Sequence, residues 1–320
     1  MLCRATGIPV GGHTLRIPCF FPSISTVRTN WPALQYLHLL VNVDYPQFLI
    51  SAYDLAGLED HEAAMGLLSK AKCNHAIVLM DSGNYESFWL RDRSWTSDKF
   101  SQVLRDYGPH LAFMFDDLQP PNDVEAVAIR VVDSVLDCAI SLPTGTLLPI
   151  VHGESDILPQ VVRAVASRLH PLMIAVPERE LGLGIVARVR TLRRIREELD
   201  SLGHYVPLHL LGTGTPISLL IYAAYGADSF DGLEWCKTVV DQHNAELWHF
   251  HYWDFFANSS DEYDLPYEYQ VAVHNLGFYK KWMAMIQEAT THGSLELLLR
   301  DAIPGRFVQR LCREIGGVIS

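Results

Sequence analysis

Residues 208–235 read LHLLGTGTPISLLIYAAYGADSFDGLEW. A short apolar run, 209–211, stops at Gly212, and a turn with a second glycine, Gly214, follows. Thr215-Pro216 then supplies a capping residue and a proline at the first helical position, which opens an apolar helix to about Ala224. After Gly226-Ala227 come two carboxylates three residues apart, Asp228 and Asp231, with Phe230 between them to anchor the loop in the core. A buried run, a polar stop, a helix and a return form one strand–helix unit. Its repetition along the chain decides the fold.

Similar runs lie upstream. AIVLM (76–80) ends at Asp81, LAFMF (111–115) at Asp116, LLPIV (147–151) at His152, and PLMIAV (171–176) at Pro177-Glu178. These runs are too short for helices and apolar on both faces, as buried parallel strands are. Helical patterns separate them. Residues 123–140 carry apolar side chains at Val124, Val127, Ala128, Val131, Val132, Val135 and Leu136, with Asp123 placed to cap. Segments 155–169 and 183–202 are two more, the latter stopped by Gly203. Strand alternating with helix means a parallel sheet. The expected fold is α/β, a closed (β/α)8 TIM barrel over about 15–240 within a single domain. Residues 241–320 read as a C-terminal helical appendage: an aromatic stretch, LWHFHYWDFF (247–256), a polar loop (258–264), a long helix (266–291) and a short one (294–301).

The composition, 49% hydrophobic and 19% charged, suits a globular protein with a sizeable core. A net charge of −12 opposes a surface coated for nucleic acid and leaves room only for a local basic groove. The six cysteines are scattered without a CxxC pair and read as reduced, mostly buried thiols of a cytoplasmic protein. The opening MLCRATGIPVGGH lacks the apolar stretch of a secretory signal, and no apolar run is long enough to span a bilayer, so no membrane partner is expected.

In such a barrel the loops after the strands build the active site, and Asp81, Asp116, His152 and Glu178 all stand at strand ends. Each has a plain reading and a chemical one. Asp228 and Asp231 are either a helix cap and a solvated turn residue, or one of them is a nucleophile. DSGNYESFW (81–89) is a turn, or a carboxylate beside the rings of Tyr85 and Phe88, which is how flat bases are held. In FMFDDLQPP (113–121), Asp116 is placed to bind a donor edge and Asp117 to cap. The adjacent pair also suits Mg²⁺, but no other oxygen-rich cluster lies near in sequence.

The order of these segments resembles the tRNA-guanine transglycosylase family, (β/α)8 enzymes that exchange guanine for a 7-deazaguanine. The family's DSGG(F/Y)Q is similar to Asp81-Ser82-Gly83-Asn84-Tyr85-Glu86, its FDE to Phe115-Asp116-Asp117, and its IVQGG to Ile150-Val151-His152-Gly153-Glu154. Its LMGVGxP is similar to Leu210-Leu211-Gly212-Thr213-Gly214-Thr215-Pro216, and its GxDMFDCV to Gly226-Ala227-Asp228-Ser229-Phe230-Asp231-Gly232-Leu233. PVFMPVGTxATV resembles the segment from Pro18 to Val27, and LTLHNLxFY the segment from Val271 to Tyr279. Each match alone is weak; seven in the right order are specific together.

The resemblance implies roles. Asp231 matches the nucleophile that attacks C1′ of a nucleoside and forms a covalent glycosyl-enzyme. Asp81 matches the acid/base that activates the incoming base. Asp116 matches the carboxylate that reads the purine's N1–H and exocyclic amine, and Tyr85 the ring that stacks on it. Ser82, Gly83, His152, Gly153, Gly212 and Gly214 fall on the motifs that shape the base site. Asp228 reads as structural. The partners implied are a purine or 7-deazapurine base, a nucleic acid acceptor (tRNA or DNA), and a second subunit in a homodimer or heterodimer.

The departures concern the metal and the pocket. The family's zinc site, CxCxxC plus the histidine of the HN motif, keeps only His274-Asn275, since no cysteine lies between Cys236 and Cys312. His249 stands at about the spacing of the last family cysteine, so a zinc site would have to use His249 and His274; an aromatic packing segment with a buried histidine is the plainer reading, and no cofactor is expected. His152 and Glu154 replace a glutamine and a glycine of IVQGG. The GGLxVGE loop is replaced by Pro177-Glu178-Arg179-Glu180-Leu181-Gly182, and PTR by Glu234-Trp235-Cys236. Arg188, Arg190, Arg193, Arg194 and Arg196 form either a phosphate-binding strip or a solvated face paired with Glu197, Glu198 and Asp200. Base exchange is the expected activity. A non-catalytic binding subunit and an N-glycosidic hydrolase using the same nucleophile are the alternatives.

Overall fold

The computed structural model describes residues 4–27, 29–142, 145–257 and 265–318. The chain begins with an antiparallel hairpin of β1 (Gly7–Val10) and β2 (His13–Arg16), turned by Gly11 and Gly12, both at positive φ. Eight parallel strands follow: β3 (Cys19–Ile24), β4 (Gln47–Ser51), β5 (Ile77–Asp81), β6 (Leu111–Phe113), β7 (Thr146–Leu148), β8 (Ile174–Pro177), β9 (Leu208–Leu211) and β10 (Ser229–Gly232). Their order is β7-β6-β5-β4-β3-β10-β9-β8. The two ends of this order meet just past β7. Ile150 bridges Ala175 in parallel, and Val151 N donates to Ala175 O at 2.8 Å. That pairing closes the sheet into a (β/α)8 barrel.

Helices connect the strands on the outside. α1 (Ala33–Asn42) follows β3; α2 (Ala52–Ala56) and α3 (His61–Cys73) follow β4; α4 (Asn84–Leu90) and α5 (Ser97–Tyr107) follow β5. α6 (Val124–Ala139), α7 (Leu158–Leu169), α8 (Ile185–Asp200) and α9 (Pro216–Ala224) come after β6, β7, β8 and β9 in turn. Asp123 caps α6, accepting from Ala126 N at 2.8 Å. Thr215 precedes α9 but makes no side-chain cap, so proline at the first turn is what marks that start. α7 begins three residues later than its sequence pattern, after a turn at 155–157.

After β10 come α10 (Glu234–Lys237), a hairpin of β11 (Thr238–Asp241) and β12 (Glu246–His249), and then α11 (Tyr267–Thr291), α12 (Leu295–Ala302) and α13 (Gly305–Ile315). The expected loop at 258–264 lies outside the described residues. α11 takes the place of the barrel's eighth outer helix, packing on β3, α9 and α10. Tyr279 stacks on Phe20 with centroids 4.5 Å apart, and Trp282 Nε1 donates to Pro216 O at 2.9 Å. The C-terminal region therefore completes the barrel wall before it extends beyond it.

Strand parity decides which residues reach the mouth. Successive side chains of a strand point to opposite faces. Phe20, Ile24, Phe48, Ile50, Val78 and Met80 face the helices. Cys19, Phe21, Leu49, Ile77, Leu79, Leu111 and Phe113 fill the interior, closed below by Ile8, Val10 and Leu15 of the hairpin. Each phenylalanine fully buried this way stabilises the fold by about 1.5–3 kcal/mol. Continuing the inward rows by two residues places Ser23 after Phe21 and Asp81 after Leu79, at the open end of the barrel. Among the five described cysteines, Cys19 and Cys138 are buried, Cys73 is exposed, and Cys236 and Cys312 are half-buried, so the thiols are less buried than expected; all five are unpaired. Among the described residues no helix is long and apolar enough to cross a membrane.

Candidate active site

Asp231 ends the inward row of β10. Its Oδ2 accepts from Ser23 Oγ at 2.8 Å, and its Oδ1 accepts from Gly212 N at 2.9 Å. Gly212 has φ +74, which turns its N–H toward the carboxylate as the chain leaves β9. His209, fully buried on β9, lies with Nε2 3.1 Å from Asp231 Oδ1 and Nδ1 2.8 Å from Ser229 Oγ. Ser229 and Asp231 are two apart on one strand, so a single imidazole on the neighbouring strand spans both. With its proton on Nε2 the ring donates to Asp231 and accepts from Ser229, which satisfies all three groups. Asp231 is thus held by three donors with 8% of its surface open.

Asp81 ends β5, in register with Ser51 of β4. Burial, then the nearby charges of Glu86, Asp116 and Asp231, hold its carboxyl well above the ordinary carboxylate range. Glu86, on the first turn of α4, reaches back over the strand ends so that Ser25 Oγ donates to it at 2.6 Å. Burial, with Asp54 beside it, pushes Glu86 up to about 7.

Asp116 has the opposite environment. Ser82 Oγ and Asn84 Nδ2 both donate to its Oδ1 at 2.9 Å. His152 Nε2 lies 2.9 Å from its Oδ2, and His152 Nδ1 lies 2.7 Å from Glu180 Oε1. Gly153 N donates to the other oxygen of Glu180 at 2.8 Å. Burial alone would lower the His152 imidazole, but the hydrogen bonds and charges of Asp116 and Glu180 outweigh it and hold it at about 9. Burial alone would raise Asp116, but the bonds from His152, Ser82 and Asn84 hold it below the ordinary value. The two carboxyls of the mouth are therefore shifted in opposite directions, Asp81 up and Asp116 down. A carboxylate has about four acceptor directions, and Asp116 uses three, which leaves one for a ligand donor.

Gly83, at φ +80, caps α4 where a side chain would run into the backbone of Tyr53. Tyr85 follows on α4 and meets Trp89 edge-on at 6.1 Å, with Phe88, exposed, against Trp89 in turn. A cavity of about 340 Å³ lies between the end of β6 and α6, lined by Phe115, Pro120, Val127 and Ile150 together with Asp116 and His152. Asp81 and Asp231 do not line it.

No family model matches this chain, and no curated protein matches it.

The other expected groups lie elsewhere. Asp228 is fully buried below the mouth and accepts from Arg4 Nε at 2.9 Å, Tyr205 Oη at 2.6 Å and Leu208 N at 2.9 Å, with Arg196 Nη1 3.7 Å away. It is a structural hub between the N-terminus, α8 and β9. Glu178 is engaged by Arg188 and Tyr222 Oη, each at 2.6 Å, rather than facing Asp231. The arginines of α8 do not form a phosphate strip. Arg190 pairs with Glu314 at 3.6 Å, Arg193 with Glu197 at 3.1 Å, Arg194 donates to Asp156 O at 3.1 Å, and Arg196 is buried against Asp200. His274 Nε2 sits 2.8 Å from Val240 O and its Nδ1 3.1 Å from Gln242 Nε2, while His249 Nδ1 accepts from His251 N. Among the described residues no three His, Cys, Asp or Glu side chains group so as to hold a metal.

Sequence reading does not single out Ser23, His209, Asn84, Glu86 or Glu180. For His209 and Ser23 a signal was present: both lie on the inward parity of strands that end in the motifs already read.

Proposed function

We propose that the chain is a base-exchange N-glycosyltransferase of the transglycosylase type, replacing guanine in a nucleic acid with guanine or a 7-deazaguanine. The observation that carries this reading is Asp231, oriented by three donors at the end of β10, with Asp81 at the end of β5 in the same mouth, its carboxyl shifted up by burial and neighbouring charges. Two carboxyl groups whose environments set them apart are the usual equipment for displacement at an anomeric carbon. Asp231 attacks C1′ as the C1′–N bond breaks, and the Asp81 proton passes to the departing base. The incoming base then returns a ring proton to Asp81 as its nitrogen attacks C1′ and Asp231 leaves. Two inversions give retention. Asp116 supports recognition: it is ionised and has one acceptor direction left, which suits a base with an N–H donor edge.

The test is incorporation of radiolabelled guanine into guanine-containing RNA and DNA stem–loops. Base exchange requires label in one of them with the wild-type protein and none with Asp231→Asn. Release of free guanine without incorporation would make the chain an N-glycosidic hydrolase instead. Neither product would leave a binding protein.

A further inference from the structure

Glu86 stands on the first turn of α4, and the start of that helix is pinned on several sides. Gly83 lies against the backbone of Tyr53, Trp95 Nε1 donates to Ser82 O at 3.0 Å, and Asn84 Nδ2 donates to Asp116 O at 2.7 Å. From there the side chain of Glu86 reaches the end of β3, where Ser25 Oγ donates to its Oε1, and only 2% of the residue is exposed. The sheet order β5-β4-β3 sets what it crosses. Asp81 ends β5, Ser51 of β4 is in register with Asp81, and Ser25 lies one residue past β3. Ser23, two residues before Ser25, donates to Asp231. One strand end therefore holds the partner of the candidate nucleophile and the partner of Glu86, about 7 Å apart along the chain.

Glu86 is incompletely satisfied in this place. Its Oε2 and Ser51 Oγ are both buried, and among the described residues neither has a hydrogen-bond partner. A buried carboxyl with an unpartnered oxygen costs stability, and a neutral glutamine, which the resembling motif carries here, would accept from Ser25 equally well. What the carboxyl adds is charge, and Asp81 is within its reach: among the neighbouring charges that raise Asp81, that of Glu86 comes before those of Asp116 and Asp231. Those two carboxyls have histidine partners, His152 and His209, whereas the partner of Glu86 is a neutral serine. Asp54 and Tyr53 of α2 also face Glu86, and both are acids. Resting on the base-exchange reading above, we infer that Glu86 is a positioning residue for the acid/base: its carboxylate sets a negative charge near Asp81, so that the proton destined for the departing base stays on Asp81 until the base takes it. Two carboxyls at close range resist ionising together, and the second proton is held the longer. Glu86 itself enters no bond that forms or breaks.

The experiment follows guanine exchange into RNA and DNA stem–loops from about pH 5 to about pH 10 for the wild type, Glu86→Gln and Glu86→Asp. Glu86→Gln keeps the shape and the bond from Ser25 and removes the charge; Glu86→Asp keeps the charge. The quantity read is the pH at the midpoint of the basic limb of kcat/KM, which reports the acid of the free enzyme and which a uniform loss of rate does not move. Ionisation of guanine itself is common to all three proteins. The limb of Glu86→Gln is expected about one pH unit or more below that of the wild type, with Glu86→Asp between the two. Superimposed limbs for the wild type and Glu86→Gln, with or without a loss of rate, give Glu86 a structural role; they overturn the inference and leave base exchange standing. No exchange by the wild type at any pH overturns base exchange and this inference together.

Discussion

His209 Nε2 lies 3.1 Å from Asp231 Oδ1, inside the barrel and away from water. This contact turns one carboxylate among several into an oriented group, because the other nitrogen of the ring is tied to Ser229 on the same strand as Asp231. His209→Ala removes the donor, leaves Ser229 Oγ with only the Cys19 thiol and opens a void. The expected cost is about 2–3 kcal/mol in stability by chemical denaturation. Exchange should fall by about tenfold to a hundredfold, in kcat more than in KM, because orientation and not binding is lost.

The two aspartates at 228 and 231 should separate cleanly. Asp228→Asn takes the charge from a fully buried cluster that includes Arg4 and Arg196, and is expected to destabilise by about 3–5 kcal/mol. Asp231→Asn should cost about 1 kcal/mol and abolish exchange. Comparable melting temperatures for the two variants would contradict this division.

His152 gives stability a definite pH dependence. Its imidazole is held at about 9 in the fold against an ordinary 6.5, so the folded state binds the extra proton. The contribution is fully present below about pH 6.5 and is lost as pH rises through about 9. It amounts to up to about 3 kcal/mol. His152→Gln should flatten the denaturation midpoint across that window while the wild-type midpoint declines. Parallel curves for the two proteins would contradict the Asp116–His152–Glu180 assignment.

Gly214 and Glu234 should behave as a coupled pair. Gly214→Ala sets a methyl against Glu234 Oε2 and is expected to cost about 1–3 kcal/mol. In a Glu234→Ala background the same change should cost under about 1 kcal/mol, giving a coupling energy of at least about 1 kcal/mol. Additive costs would mean the carboxyl does not sit against Gly214 in solution.

Five barrel strands were legible as apolar runs because both of their faces are buried. β3, β4 and β10 were not. β3 contains Pro22 and Ser23 at its mouth end, with Ser23 turned to Asp231; β10 is four residues, SFDG, of which only Phe230 is apolar. At the mouth ends of β3 and β10 the inward parity carries Ser23 and Asp231 in place of packing, which weakens the strand pattern where the site is built. Asp81, Asp116 and His152 were visible because they interrupt strong runs. Glu180 was not: it sits in a loop of mixed charge, and only the fold brings it to His152. α13 was likewise missed, although Val308, Leu311, Cys312 and Ile315 recur at helical spacing.

The most direct measurement is intact-mass spectrometry of the protein quenched with guanine-containing RNA or DNA in the presence of an unreactive guanine analogue. A nucleophilic Asp231 gives a covalent adduct equal to the oligonucleotide less one guanine, mapped by peptide sequencing to Asp231 and absent from Asp231→Asn. No adduct with either nucleic acid, or an adduct that persists in Asp231→Asn, would contradict catalysis through this carboxylate.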